Sequence, residues 1–577
     1  MAAAALWCAA AAQAASAPVN VFPIPGGQVA APSTQITFRG VPASQLGTIV
    51  VTGSVSGVHP GRVLSDSDGK GGSFIPTTPF KAGETVTVTT GLDIIGATNG
   101  SYSFAVADPA GAIPEAGVRP APRVKHDVSR FASRPDLVPT VVTVTKRASR
   151  AAAPGDIFVA PQYGPVQNGP MILGRYGGLI WDQPIPHNET ATDFRAQTYQ
   201  GKPVLTWWQG NVSAAGTGAG QDEIYDSSYR PVATVRAGNG LSSDLHEFSI
   251  TPQNTALITA YYPVHWKTSS AKGAAPRIVL DGVVQEIDIS TGLVLFQWDS
   301  LDHVPVSDSY QAAPKNTGHP WDYFHLNSIQ QDSDGDLIVS SRDTWSVYEI
   351  SHQTAAIIWT LGGRHSSFTM ARNTSFAFQH DARLGSNNVL TMFDDGAGPP
   401  AEHKQSRGLT LRLDTTHMTA SLVAQDEHHP ALLAYYEGSD QPLSNGDSFI
   451  GWGSQPYFTE FNSRGQTVFD ARFVDENQTY RAYRIPWTGT PATLPAVAAH
   501  VAGGRTTVYA SWNGSTELAR WQVLGGTSSS SLRPVGSAGK SAFETAIRVS
   551  GKQTYVAAQA LDAHGHVLST SKPVKAS

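Results

Sequence analysis

The sequence predicts an all-β chain: a six-bladed β-propeller preceded by a small N-terminal β-sandwich and followed by a fibronectin type III-like C-terminal β-sandwich. Three observations predict it. Short runs of β-branched and aromatic residues are punctuated throughout by Gly, Pro, Ser, Asn and Asp, and 55 Gly and 38 Pro against 15% charged residues leave few long surface helices. Aromatic strands recur after turns as GLIWDQP, PVATVRA, GLVLFQWD, AAIIWTLGG, TASLVAQ and QTVFDARF, preceded by strands such as VVQEIDIS, SVYEISHQ, LTLRLDT and YFTEFNSR. Four short strands per unit at a period of roughly 40–55 residues is the pattern of a propeller. Finally, MILGRYGGLIWD near the start of the array and YRAYRIPW at its end complete one unit between them, and such closure leaves no free sheet edge.

Taken in order, residues 1–17 are Ala-rich and apolar and end in small-residue cleavage patterns, which reads as an export signal and places the mature chain outside the cytoplasm, secreted or periplasmic. Cys8, the single cysteine, falls inside that segment, so the mature chain has no disulfide chemistry. Residues 18–108 carry QITFRGV, TIVVTGSV, ETVTVTT and SYSFAVA at the spacing of a small sandwich. Within them Ser65 to Lys70 reads as a turn, because the closing acidic ligand of a calcium loop is missing. Residues 109–155 are rich in Pro, Ala, Arg and Lys and read as a surface linker. The propeller follows at 156–487, and residues 488–577, with TTVYASWNG and ELARWQVLG, form the C-terminal sandwich, whose expected role is docking or spacing.

Composition narrows the function classes. A formal net charge of -6 with no Lys/Arg-rich run disfavours nucleic acid and basic membrane-binding faces. After the leader no stretch reaches the ~18 apolar residues of a membrane span. Small molecules are the expected partners, and the chain leaves room for a homodimer.

Three histidines head successive hairpins: His246 in DLHEFSITP, His325 in DYFHLNSIQ and His380 in FQHDARL. The hairpin from His325 turns at Asp332 to Gly335, and its centre lies midway to Arg342, so antiparallel pairing sets His325 and Arg342 side by side with Cβ atoms roughly 5 Å apart. The same construction faces His246 with about Tyr261, and His380 with about Phe393 or Asp394. First strands line a propeller's channel, so these side chains converge at one end of it. Asn327, two residues after His325, is expected on the same face as a further amide donor. The planar fork of Arg342 suits a sulfate or phosphate, and a histidine beside it is biased toward neutrality. Tyr261 and Phe393, with Tyr323 or Trp208, are expected to stack an aromatic ligand. His187, His265, His319, His365, His417, His428 and His429 have no such register and read as surface or loop residues.

With these residues in view, the chain resembles the arylsulfotransferase family, the aryl-sulfate-dependent (ASST-like) sulfotransferases; DYFHLNSIQQDSDGDLIVSSR carries the resemblance most specifically. The resemblance implies transfer of a sulfuryl group from an aryl sulfate to a phenol through a transient sulfohistidine, with no nucleotide sulfate donor and no cofactor. It implies His380 as the nucleophile, with His246, His325, Asn327 and Arg342 binding the sulfuryl group and handling the phenol's proton. Two alternatives stay open at this point. One is a metal-dependent propeller hydrolase or lyase with the histidines as ligands, and the other is a non-catalytic binding propeller.

Overall fold

The structure is a computed structural model, and it describes residues 18–149, 152–268, 275–474 and 476–577. The leader expected at residues 1–17, with Cys8, lies outside the described residues. The chain is all-β, with 47% of it in strands and 2% in helix. No helix among the described residues is long and apolar enough to cross a membrane.

Two four-stranded sheets open the chain: Asn20–Phe22, Ile36–Arg39, Gly71–Pro76 and Gly61–Ser65 in one, Gly57–Val58, Val50–Gly53, Thr85–Thr89 and Ser101–Ala105 in the other. In Thr85–Thr89 alternation of Thr and Val turns Val86 and Val88 inward, where they join Ile36, Phe38 and Phe104 in one core. The turn after Ser65 is pinned by Arg39, whose guanidinium reaches Asp66 and Asp68 at 2.6 Å each. This unit docks on the next through polar contacts: Gln35 and Thr37 side chains both donate to the Val294 carbonyl, and Ser67 bonds Asp288. The stretch 109–155 is largely exposed, but it also contributes a strand, Val142–Lys146, paired antiparallel to Thr467–Phe473.

Antiparallel meanders follow one another from Asp156. Their first strands, Thr190–Tyr199, Ser243–Ile250, Leu326–Gln331, His380–Gly385 and Ser439–Pro442, each touch the next. Tyr483–Ile485 continues that circle and touches Thr190–Tyr199, so the innermost strands enclose a central channel. Tyr483–Ile485 also pairs with Asp156–Val159, setting Phe158 opposite Tyr483, and so joins the two ends of the array. Between neighbouring meanders lie apolar layers such as Ile338, Leu361, Leu390 and Leu409, which are excluded from water and fix the spacing of the strands that carry the channel residues.

The chain ends in two further sheets around Val508, Trp521, Val523, Ile547 and Val556. Asn513 bonds the Asp182 backbone, and the Tyr229 hydroxyl donates to the Gly514 carbonyl, so this unit is fastened to the first two meanders.

Candidate functional site

The three histidines sit where their innermost strands begin, and in each case the strand is irregular there. His325 takes a left-handed backbone (φ 52°) just before Leu326–Gln331, and Asp381 does so (φ 55°) just after His380. The pairing of Ser243–Ile250 slips between Ser243 and Phe248, around His246. Such conformations cost about 1–3 kcal/mol each and persist where surrounding structure holds them. Their effect is to aim side chains along the channel instead of across the sheet.

The expected register holds for the hairpins of His325 and His380, while the pairing around His246 is slipped. Arg342 N–H donates to the His325 carbonyl at 2.9 Å, His380 pairs with Phe393, and the His246 ring lies 6.0 Å from that of Tyr261. Ring centroids are 4.9 Å apart for His246 and His325 and 6.4 Å for His325 and His380. The Tyr480 ring stands edge-on between His246 and His380 at 5.6 and 6.4 Å. All three histidines and Arg342 line one cavity of about 730 Å³, with Thr192, Tyr163, Asp322, Tyr436 and Glu437 among its other walls.

Each imidazole is held by a carboxylate on the side away from its reactive nitrogen. Nδ1 of His246 meets Asp244 at 2.5 Å, that of His325 meets Asp322 at 2.6 Å, and that of His380 meets Asp395 at 2.8 Å. A ring anchored at Nδ1 presents Nε2, and the carboxyl group fixes its orientation. For His380 the tautomer follows: its Nε2 accepts the Glu437 backbone N–H at 3.3 Å, so the ring proton is on Nδ1, toward Asp395.

Burial dominates the electrostatics. It pushes His325 down to about 3, with His246 next among the causes and Arg342 adding to it, and pushes His380 well below the usual imidazole range, with Arg342 second. The same burial raises Asp322 to about 7 and Asp395 well above the usual carboxylate range. The His325–Asp322 and His380–Asp395 pairs thus resist charge separation, and their imidazoles stay neutral. Arg342 donates to Asp343 at 2.6 Å and to the Tyr435 carbonyl at 3.1 Å and packs over Phe378 at 4.8 Å, while its Nε–H is buried with no partner.

Other expected residues are placed differently. Asn327 is fully buried and does not line the cavity: its amide donates to the Gln379 carbonyl at 2.7 Å, because the pairing is irregular between Leu326 and Ser328 and the period of two is broken there. Phe393 is fully buried against Trp452 and Ala434, and Trp208 and Tyr323 are likewise core residues. Tyr261 backs the site, with its hydroxyl donated to the Leu326 carbonyl. The aromatic rings that do line the cavity are Tyr163, Tyr436 and Trp321. His428, expected on the surface, is 5% exposed and bonds Asp470 at 3.3 Å. The carboxylate partners were missed; Asp244 and Asp322, two and three residues before their histidines, were a readable signal, whereas Asp395 comes from the facing strand.

Among the described residues, the group close enough to hold a metal is Asp322, His325 and Asp343, not the three histidines. Arg342 already sits on Asp343, so a cation there would have to displace or oppose a guanidinium.

One layer further along the channel lie Glu247 and Asp381, each the residue after a site histidine, with Asp193 and three guanidinium groups. Arg481 reaches Asp193 at 2.8 Å, Glu247 at 3.1 Å and Asp381 at 3.4 Å, while Arg383 bonds Glu247 and Asp381, and Arg195 bonds Glu247 and Asp193. The guanidinium groups hold Glu247 well below the usual carboxylate range against the opposing effect of burial. Arg481 also donates to the Asn327 carbonyl at 2.8 Å.

Residues 195–474 match the family model Arylsulfotransferase (ASST), which suggests sulfotransferase activity. No curated protein matches the chain significantly. Solved structures similar to it include a protein of unknown function from Bacteroides caccae, at 14% identity and a TM-score of 0.36 over 58% of this chain and 99% of that one. An auxiliary nutrient binding protein from Bacteroides ovatus ATCC 8483 follows at 10% identity and a TM-score of 0.28, covering 82% and 91%. Virginiamycin B lyase from Staphylococcus aureus stands at 8% and 0.23, covering 56% and 85%. Likenesses of that strength carry nothing about chemistry.

Proposed function

This chain is ASST-like by its match over residues 195–474, and from that premise we propose that it moves a sulfuryl group from an aryl sulfate ester to a phenol by way of His380. The observation that carries this reading is the state of His380: Nδ1–H on a buried carboxylate, and an Nε2 lone pair in the cavity that Arg342 also lines. In the first step the Nε2 lone pair attacks sulfur, the sulfur–aryl oxygen bond breaks, and the aryl oxide leaves; the long Glu437 N–H bond to Nε2 gives way to the new N–S bond. In the second, the phenol oxygen attacks sulfur, the N–S bond breaks, and the phenol's proton is given up. Splitting the transfer in this way predicts ping-pong kinetics.

Arg342 contributes fixed positive charge beside the sulfuryl oxygens, whose charge grows in the transition state. Its terminal nitrogens are tied to Asp343 and Tyr435, so the guanidinium needs little reorganisation during the reaction. Tyr163, Tyr436 and Trp321 supply aromatic surface for the ring of donor or acceptor. The architecture behind this site is, in our reading, a six-bladed β-propeller flanked by the N-terminal sandwich and the fibronectin type III-like unit, in an exported protein.

Brief exposure to 4-nitrophenyl sulfate, followed by peptide mass spectrometry, should find one labile sulfuryl adduct on His380 with release of nitrophenol. His380→Asn should show neither. An adduct elsewhere, or stoichiometric metal in the purified protein with no adduct, would sink the reading.

A further inference from the structure

Resting on the transfer chemistry above, we propose that the side-chain carboxyl of Glu437 is a catalytic residue that gives its proton to the departing aryl oxide and takes one back from the incoming phenol. Two of the three histidines are poorly placed for that task. His380 is the attacking atom's owner, and its one ring proton points away from the cavity, at Asp395. His325 is held neutral down to about pH 3, so it carries no second proton to release near neutrality.

Glu437 stands beside the attacking nitrogen and lines the cavity in which the transfer takes place. Its own backbone N–H marks the approach to His380 Nε2, at 3.3 Å, and its carboxyl forms part of the cavity wall. The carboxyl is fixed in orientation by two amides: Gln162 Nε2 donates to one oxygen at 3.1 Å and Gln478 Nε2 to the other at 3.0 Å, while Gln478 also bonds the Gln162 oxygen at 2.9 Å. Both amides donate, so each carboxyl oxygen keeps a lone pair for a proton or a substrate hydroxyl. Among the described residues no ion pair involves Glu437. The other titratable groups around it are Tyr163, Tyr436, Tyr480, Asp395 and His380, and the imidazole among them is neutral. Burial accordingly raises Glu437 to about 8, the range suited to exchanging a proton near neutrality.

The proton count closes. In the first half-reaction the S–O bond breaks as the N–S bond forms, the Glu437 proton moves to the aryl oxygen, and a free phenol departs from a carboxylate. In the second, the acceptor phenol gives its proton to that carboxylate as its oxygen bonds sulfur and the N–S bond breaks, restoring the acid.

The test compares leaving groups. Nitrophenolate departs readily without a proton, whereas unsubstituted phenolate gains most from one. In single-turnover assays Glu437→Gln should lower sulfurylation of His380 by phenyl sulfate about 100-fold, within the range usual for general acids, and by 4-nitrophenyl sulfate less than about 5-fold. The wild-type rate with phenyl sulfate should fall above about pH 8, where Glu437 is deprotonated, and this limb should vanish in Glu437→Gln. Formate should restore part of the phenyl sulfate rate to Glu437→Ala, which a merely structural role would not allow. Equal losses with both donors, or an unchanged alkaline limb, would overturn the role of Glu437 while leaving the sulfohistidine intact. A wild type that sulfurylates His380 with neither donor would overturn the transfer reading, and this role with it.

Discussion

Two adjacent layers of the central channel are built from the same kinds of residue and reach opposite states. In the histidine layer each base is tied to one carboxylate, and the three imidazoles and Arg342 line a single cavity. In the next layer Arg195, Arg383 and Arg481 are matched by Asp193, Glu247 and Asp381, three against three, and each guanidinium is spent on at least two of the carboxylates, although Nε of Arg195 and of Arg481 makes no hydrogen bond. Bases and acids alone therefore do not mark a site; bases gathered around one cavity, each held by a single carboxylate, do. The ion-paired layer gives the histidine layer a rigid floor, through the bond from Arg481 to the Asn327 carbonyl and the packing of its guanidinium over Tyr480 at 4.9 Å.

That contrast can be broken from either side. Glu247→Ala leaves three buried guanidinium groups with two carboxylates and should cost about 3–5 kcal/mol of stability, read as a lower urea midpoint. His380→Asn should leave that midpoint nearly unmoved, since an amide N–H can replace Nδ1–H toward Asp395. If both variants unfold alike, the two layers are one structural unit and the distinction fails. A smaller effect is expected at Arg342, where Lys keeps the charge but loses the planar fork and its fit over Phe378. Transfer should fall on the order of 10–100-fold, with less change in the urea midpoint than for Glu247→Ala. The smallest effect is an absence. Protonation would remove the Nε2 lone pair, and because the pKa of His380 is depressed the lone pair persists as pH falls through ~6.5, where a free imidazole loses it. Single-turnover sulfurylation by 4-nitrophenyl sulfate should therefore stay flat from about pH 7 to about pH 5.5. A decline centred near ~6.5 would show that burial does not control this histidine.

Local geometry was legible in the sequence, and irregular geometry was not. Counting outward from the turn at Asp332 to Gly335 set His325 beside Arg342, because hairpin register depends only on the turn and the strand period. The same period misplaced Asn327, since the irregular pairing after Leu326 turned its amide toward Gln379. Phe393 was correctly paired with His380 but faces the core, as strand partners need not share a cavity. Asp395 and Glu437 reach His380 from 15 and 57 residues further on, separations that no local pattern encodes. Sequence reasoning thus found the bases and missed the acids that set their states.

The pairing of Tyr483–Ile485 with Asp156–Val159 bears on the order in which the molecule is assembled. Tyr480 and Arg481 lie just before that closing strand, and Arg481 meets Asp193 across 288 residues of chain. A nascent chain that has reached Glu437 already contains all three histidines, Arg342 and their carboxylates, yet its floor lacks the central guanidinium and the Tyr480 ring. Contacts of such long sequence separation form late. The reactive lone pair is therefore built before the scaffold that aims it, and competence for chemistry arrives in one step, when the ring shuts.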